Sequence, residues 1–170
     1  MLDLVFQIKK NKEEEVIKSN KRTRRVNNKI TPIDRRWISS AKEAAKYSLS
    51  KKRQVGAIIA RNEILLSRGW NKTPRFYPYG ETECQSTLET HPYTIHAEAD
   101  AIIMALQQGY NVEDATIYCT HMPCIKRCAP LIAHAGITRV VYIHGHNEED
   151  DFSKKFLQDC GIEVISYYED

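Results

Sequence analysis

ATIYCTHMPCIKRCAPLIAHAGITRVVYIH, residues 115–144, is the stretch whose reading decides the fold. It opens on a β-rich run, Ala115–Thr120, passes into helix-compatible sequence over Cys124–Ala135, halts at Gly136 and resumes as a β-branched run over Thr138–His144. A strand, a helix and a strand in such close succession form a crossover unit, which joins parallel strands with right-handed chirality. The pattern continues downstream, with a predicted helix Asp151–Asp159 stopped by Gly161 and a predicted strand Ile162–Tyr168. Upstream, Val55–Ala60 and Ile64–Trp70 flank the short turn Arg61-Asn62-Glu63, which predicts an antiparallel hairpin. Earlier still, Thr31-Pro32-Ile33-Asp34 reads as a helix start: an N-cap, a proline at the first helical position and an acid in the first turn. Trp37, Ala41, Ala44, Ala45 and Leu49 follow at helical spacing, and Lys51-Lys52-Arg53 is expected to close that helix with positive charge. A long loop, 71–93, precedes a predicted helix His96–Gln108 ended by Gly109. The expected fold is α/β: three layers, a mixed five-stranded sheet with helices on both faces.

The chain is long enough for one ordinary domain, and its 42% hydrophobic content supports a packed core. No apolar run approaches the roughly 20 residues of a membrane span. The first residues lack the order of a secretory signal, so a soluble, cytoplasmic protein with no membrane contact is expected. Charge is uneven. Residues 1–30 hold nine Lys/Arg against four Asp/Glu, about +5, which leaves about −2 for the other 140 residues of the +3 chain. Residues 1–30 are therefore read as a basic N-terminal arm or tail, with Leu2, Leu4, Val5, Phe6 and Ile8 at its start, and 31–170 as the folded domain. Five cysteines, an odd number with no export signal, argue against a disulfide framework. Cys119 and Cys160 are expected to be small buried residues, whereas Cys124 and Cys128 share a polar setting.

His96-Ala97-Glu98 begins one predicted helix, and Pro123-Cys124-Ile-Lys-Arg-Cys128 begins the next. Cysteines at i and i+4 on a helix project from one face, so two sulfurs can converge on one ion. A helix N-terminus favours the thiolate. One imidazole and two thiolates make a three-donor tetrahedral zinc site whose fourth position is left for water. Glu98, two residues past the imidazole, is placed to handle that water's proton without being a ligand.

His-x-Glu followed by Pro-Cys and a second cysteine is the signature of zinc-dependent nucleobase deaminases, and from about Arg35 to Tyr168 the chain resembles that cytidine deaminase superfamily. Within it, Gln54-Val-Gly-Ala57, Gly69-Trp-Asn71, His91-Pro-Tyr-Thr-Ile-His-Ala-Glu98, Ala115-Thr-Ile-Tyr118 and Ala135-Gly-Ile137 are similar to deoxycytidylate (dCMP) deaminases. The spacing Cys-x-x-x-Cys is one residue longer than the usual one, and Gly69-Trp70-Asn71-Lys72 replaces the usual Gly-Tyr-Asn-Gly. The resemblance implies a cytidine-deaminase-like fold, a zinc-dependent hydrolase, His96, Cys124 and Cys128 as zinc ligands and Glu98 as proton shuttle. It implies conversion of dCMP to dUMP and ammonia. It also implies that Asn71 touches the sugar, that the Ala97 N–H touches the base, and that His146 stands where an aromatic often follows the fourth strand. Lys51, Lys52 and Arg53 are candidates for the substrate phosphate. The loop Trp70-Asn71-Lys72 corresponds to the family's effector site, which implies dCTP as activator, dTTP as inhibitor, an accompanying Mg²⁺ and a homohexamer. The small-residue helix Ala97–Ala105 is a candidate for burying a subunit interface.

Two other readings compete. A tRNA or polynucleotide deaminase would use the basic arm, but the slightly acidic body offers no phosphate track, so nucleic acid is disfavoured. A non-enzymatic zinc module would need a fourth protein ligand, for which His91, Cys84 and His121 are the candidates.

Overall fold

The computed structural model describes residues 29–78, 93–145 and 147–168. In chain order it runs α1 (Pro32–Ala45), β1 (Gly56–Arg61), β2 (Ile64–Trp70), α2 (Ala97–Gln107), β3 (Thr116–His121), α3 (Cys128–His134), β4 (Arg139–His144), α4 (Glu148–Asp159) and β5 (Glu163–Ser166). Helix α1 begins where its capping signal places it. Thr31 Oγ1 accepts from the Asp34 N–H at 3.2 Å, and Asp34 Oδ2 accepts from the Thr31 N–H at 2.8 Å. This reciprocal box satisfies donors that a helix start leaves orphaned. The helix ends at Ala45 with Lys46 as C-cap, so Lys51-Lys52-Arg53 lies beyond it, and Leu49 is exposed. The chain has to leave α1 early to enter β1. Ser48 fastens that departure by donating its hydroxyl to the Asn71 carbonyl at 2.8 Å.

The strands form one sheet in the order β2-β1-β3-β4-β5. The hairpin partner β2 and the neighbour β3 are both antiparallel to β1, while β3, β4 and β5 are parallel. Side chains along a strand alternate between faces, and here the alternation divides the core in two. Ile58, Ala60, Tyr118, Val141, Ile143 and Ile165 meet Trp37, Ile38 and Ala41 of α1. On the other face Ile59, Ile117, Cys119, Val140 and Val164 meet Ala101, Ile102 and Ala105 of α2, Ala129 and Ile132 of α3 and Leu157 of α4. This is the expected mixed five-stranded sheet with helices on both faces. Two glycines let helix backbones approach closely: a Cβ on Gly56 would collide with the Ala41 carbonyl, and one on Gly69 with the Ala97 carbonyl.

Several local expectations change. Helix α3 begins at Cys128, not Cys124, because residues 125–127 form turns and Arg127 leaves helical geometry at φ −134°, ψ −50°. Helix α4 begins at Glu148, three residues early, because Asn147 and Asp150 form a second capping box. Cys119 is fully buried, but Cys160 is exposed as the C-cap of α4. Ala97, Ala101 and Ala105 are buried inside the protomer under the hairpin, so they do not offer a subunit interface; the outward residues of α2 include Ile103 and Leu106. Residues 1–28, Cys84, His91 and His146 lie outside the described residues, as does most of the 71–93 loop.

Candidate metal centre

His96 is the N-cap of α2 and is extended, at φ −73°, ψ 153°. Its ring makes no capping hydrogen bond, which leaves Nδ1 to face sulfur. Nδ1 lies 3.5 Å from Cys124 Sγ and 3.3 Å from Cys128 Sγ. Cys124 follows the end of β3 through Met122 and Pro123, and Cys128 opens α3. The Cys124 carbonyl accepts from the N–H groups of Cys128, at 3.1 Å, and Ala129, at 3.0 Å. The i,i+4 relation is thus preserved by a tight turn rather than by the helix itself.

The three donor atoms all lie within 4.8 Å of one another. Zinc takes sulfur at about 2.3 Å and imidazole nitrogen at about 2.0–2.1 Å, which under tetrahedral angles puts N and S roughly 3.5 Å apart. The observed separations fit, and His96, Cys124 and Cys128 form a zinc-binding site. Among the described residues no fourth donor joins them. His121 does not: its Nδ1 lies 3.1 Å from Thr120 Oγ1 and its ring sits 5.0 Å from that of His144. A closed structural site therefore has no support among the described residues, while a three-donor site with an open position does.

The electrostatics follow from crowding. The hydrogen bond from the Cys128 thiol holds Cys124 far below the ordinary thiol range, and the same bond, with burial, pushes Cys128 far above it. Sulfur ligates zinc as thiolate, so metal binding releases protons from this pair. The bond to Cys124 raises His96. Glu98, in the first turn of α2, is 3% exposed, and its Oε2 lies 3.4 Å from Cys128 Sγ. Burial pushes its carboxyl up.

His96, Cys124 and Glu98 of this cluster line a cleft of about 190 Å³. Lys52, Arg53, Asn71 and Ala97 line it as expected, but Lys51 does not. Asn71 is committed to backbone: its Oδ1 accepts from the Val55 N–H at 2.8 Å and its Nδ2 donates to the Arg53 carbonyl at 2.9 Å. It therefore splints the segment that carries Arg53. Ala97 opens α2, so its N–H is one of those a helix start leaves without an internal acceptor. Ser50 and Thr94 also line the cleft and were not expected there, and His121 lines it although it was expected only as a candidate fourth zinc ligand. Burial, then Arg53 and His144, lower His121 to about 4, so it is neutral near pH 7. One signal could have found it: it sits at the carboxyl end of β3, where open α/β sheets place ligands. Thr94 carries no such signal.

Of the effector candidates, Asn71 faces this first cleft, while Trp70 and Lys72 sit elsewhere. Trp70 and Lys72 line a second cleft, of about 570 Å³, between the start of the 71–93 loop and α2. Lys72 Nζ is 2.9 Å from Asp100 Oδ2 and 4.1 Å from the Trp70 ring centroid. Asp100 also accepts from the Trp70 N–H at 3.2 Å.

Residues 31–144 match the family described as "Cytidine and deoxycytidylate deaminase zinc-binding region". The deoxycytidylate deaminase of Saccharomyces cerevisiae is 31% identical over 141 residues, covering 79% of this chain and 44% of that protein. The enzyme of the same name from Schizosaccharomyces pombe is 30% identical over 148 residues, with the same two coverages, 79% and 44%. The chain thus spans less than half the length of these two relatives. Among solved structures, the dCMP deaminase of the cyanophage S-TIM5 in complex with dCMP and dUMP superposes with a TM-score of 0.70 at 28% identity, over 82% of this chain and 100% of that one.

Proposed function

The chain belongs to the cytidine and deoxycytidylate deaminase family, and from that premise we propose that it hydrolyses dCMP to dUMP and ammonia. One observation carries the reading: a buried carboxylate, Glu98, touches a His-Cys-Cys donor set at a small cleft whose rim holds Lys52 and Arg53. Bound zinc would supply an acidified water and Lewis-acid stabilisation. Glu98 accepts a proton from the attacking water and passes it to N3 of the pyrimidine, then takes the proton of the new C4 hydroxyl and gives it to the amino group as the C4–N bond breaks and C4=O forms. Water's oxygen replaces nitrogen at C4, and ammonia departs. The Ala97 N–H binds the base, Asn71 holds the cleft wall beside the sugar, and Lys52 and Arg53 receive the phosphate. Lys51 drops to a secondary candidate because it lies off the cleft, and His146 remains a candidate for the substrate.

A cleft of about 190 Å³ suits one nucleotide better than a polynucleotide strand, and the cyanophage relative was solved with dCMP and dUMP bound. The division into an arm, 1–30, and a deaminase domain, 31–170, belongs to this reading, and the family match beginning at residue 31 supports it. So do a homohexamer, a cytoplasmic setting, and regulation by dCTP and dTTP with Mg²⁺ at Trp70, Asn71 and Lys72. Among the described residues no helix is long and apolar enough to cross a membrane. An effector phosphate at Lys72 would have to compete with Asp100. Product analysis with cytidine, dCMP, dCTP and tRNA tests the proposal. Deamination of dCMP in clear preference to the others is expected; preference for tRNA would overturn it.

A further inference from the structure

The zinc ligand Cys124 lies outside any helix, so something other than helix geometry has to hold it. Three contacts do so, one on each successive residue. The Met122 N–H donates to the His144 carbonyl at the end of β4, at 2.7 Å. The Cys124 carbonyl is tied to α3 through Cys128 and Ala129. Between them stands Pro123, fully buried, which has no N–H and can be gripped only through its carbonyl. That carbonyl accepts from the hydroxyl of Ser153, at 2.5 Å. Ser153 is 0% exposed and sits on the second turn of α4, beyond the residues 31–144 that match the family.

We propose that Ser153 is a positioning residue for the metal centre: its hydroxyl locks the Pro123 peptide and thereby aims the Cys124 sulfur at the ion. A buried carbonyl stripped of its donor turns to find another. That carbonyl shares one planar peptide unit with the Cys124 N–H, so the start of Cys124 turns with it. Groups that orient a ligand from outside typically change metal affinity by about 10–100-fold when removed. The inference concerns metal binding alone, so it stands or falls independently of which nucleotide is deaminated.

The test is zinc affinity, measured on the full chain by competition with a chelator, together with the visible absorption of the Co²⁺-substituted protein. Ser153→Ala should weaken zinc about 10–100-fold and shift the sulfur-to-cobalt bands. Ser153→Thr, which keeps the hydroxyl, should restore both. Ser67→Ala is the matched control, because Ser67 is likewise buried and donates its hydroxyl to a carbonyl, that of Ala101, at 2.7 Å. It should lose comparable thermal stability but keep its zinc affinity and cobalt spectrum. Wild-type zinc affinity in Ser153→Ala, or equal loss in both alanine variants, overturns the proposal. Should Ser153→Ala fail to fold, zinc affinity within threefold of wild type in Ser153→Thr supports it, and failure of both variants to fold overturns it.

Discussion

Two carboxylates lie buried on opposite faces of the sheet, and their surroundings could hardly differ more. Asp34, 1% exposed under α1, has partners on every side. Arg139 reaches it with both terminal nitrogens, at 2.6 and 3.1 Å, Tyr118 donates at 3.0 Å, and the Thr31 hydroxyl and N–H donate at 2.8 Å each. Glu98, 3% exposed under the opposite face, meets the Cys128 thiol and the His96 imidazole instead of a guanidinium. Burial alone would raise both acids. At Asp34 the bonds from Arg139 and Thr31 win and hold the carboxyl below its ordinary value of 3.8, whereas at Glu98 burial wins. A buried acid with its charge neutralised stabilises the fold. One left without a cation is costly to bury, and such groups concentrate where protons are moved.

That contrast can be broken most sharply at Glu98. Glu98→Gln should retain zinc and stability while losing about 10²–10⁴-fold in kcat, the usual contribution of a general acid–base group. Metal analysis, a melting curve and turnover on dCMP check this together, and near-normal turnover with full zinc would end the distinction. Asp34→Ala should do the reverse. Breaking a buried pair from one side costs about 3–5 kcal/mol. The lower end, about 3 kcal/mol, applies here because Glu163 still faces Arg139 at 3.0 Å. Denaturant unfolding measures that loss, while kcat per folded molecule should stay near wild type.

Acid sharpens the same point. Because the Asp34 pKa is lower folded than unfolded, its stabilisation is complete above the ordinary value of 3.8 and is lost as pH falls through the depressed folded value. The stability gap between wild type and Asp34→Ala should therefore be constant near neutrality and shrink in acid below that value. A gap that does not close in acid would mean that Asp34 acts through shape rather than charge.

The smallest effect concerns two arginines set apart in the same way. Arg139 is committed to Asp34 and Glu163, whereas Arg53 is exposed on the cleft rim. Arg53→Ala should raise KM for dCMP about tenfold, a typical loss for one charge-assisted contact near solvent, and leave deoxycytidine turnover nearly unchanged. Equal impairment of both substrates would make Arg53 structural and move the phosphate site elsewhere.

Much of this was legible in residue order. Thr31-Pro32 and Gly136 marked a helix start and a helix end because caps act over a few residues. The strand–helix–strand run over 115–144 dictated the parallel half of the sheet. His-x-Glu and the two cysteines named the donor set, because metal chemistry restricts residue type and spacing severely. Where spacing alone was used, it misled. Lys51, Lys52 and Arg53 looked like one cluster, yet only the last two line the cleft, and Cys124 looked helical, yet stands before α3. Cys160 looked like core and is exposed, since a helix end carries no periodicity to say which way it faces.

What the sequence determined by itself, then, is local: caps, alternation along strands, and the identity of the zinc ligands, all set by interactions a few residues long. What only the tertiary structure decided is which distant groups meet. Asp34 and Arg139 are 105 positions apart, and Ser153 reaches Pro123 across 30. Asn71 turned out to be a splint for residues 53–55 rather than a free amide. Such partners carry no periodic signal, because a hydrogen bond constrains only the two atoms it joins. Which of the many buried polar side chains finds which carbonyl is settled when sheet and helices pack and leave each one a single partner within reach.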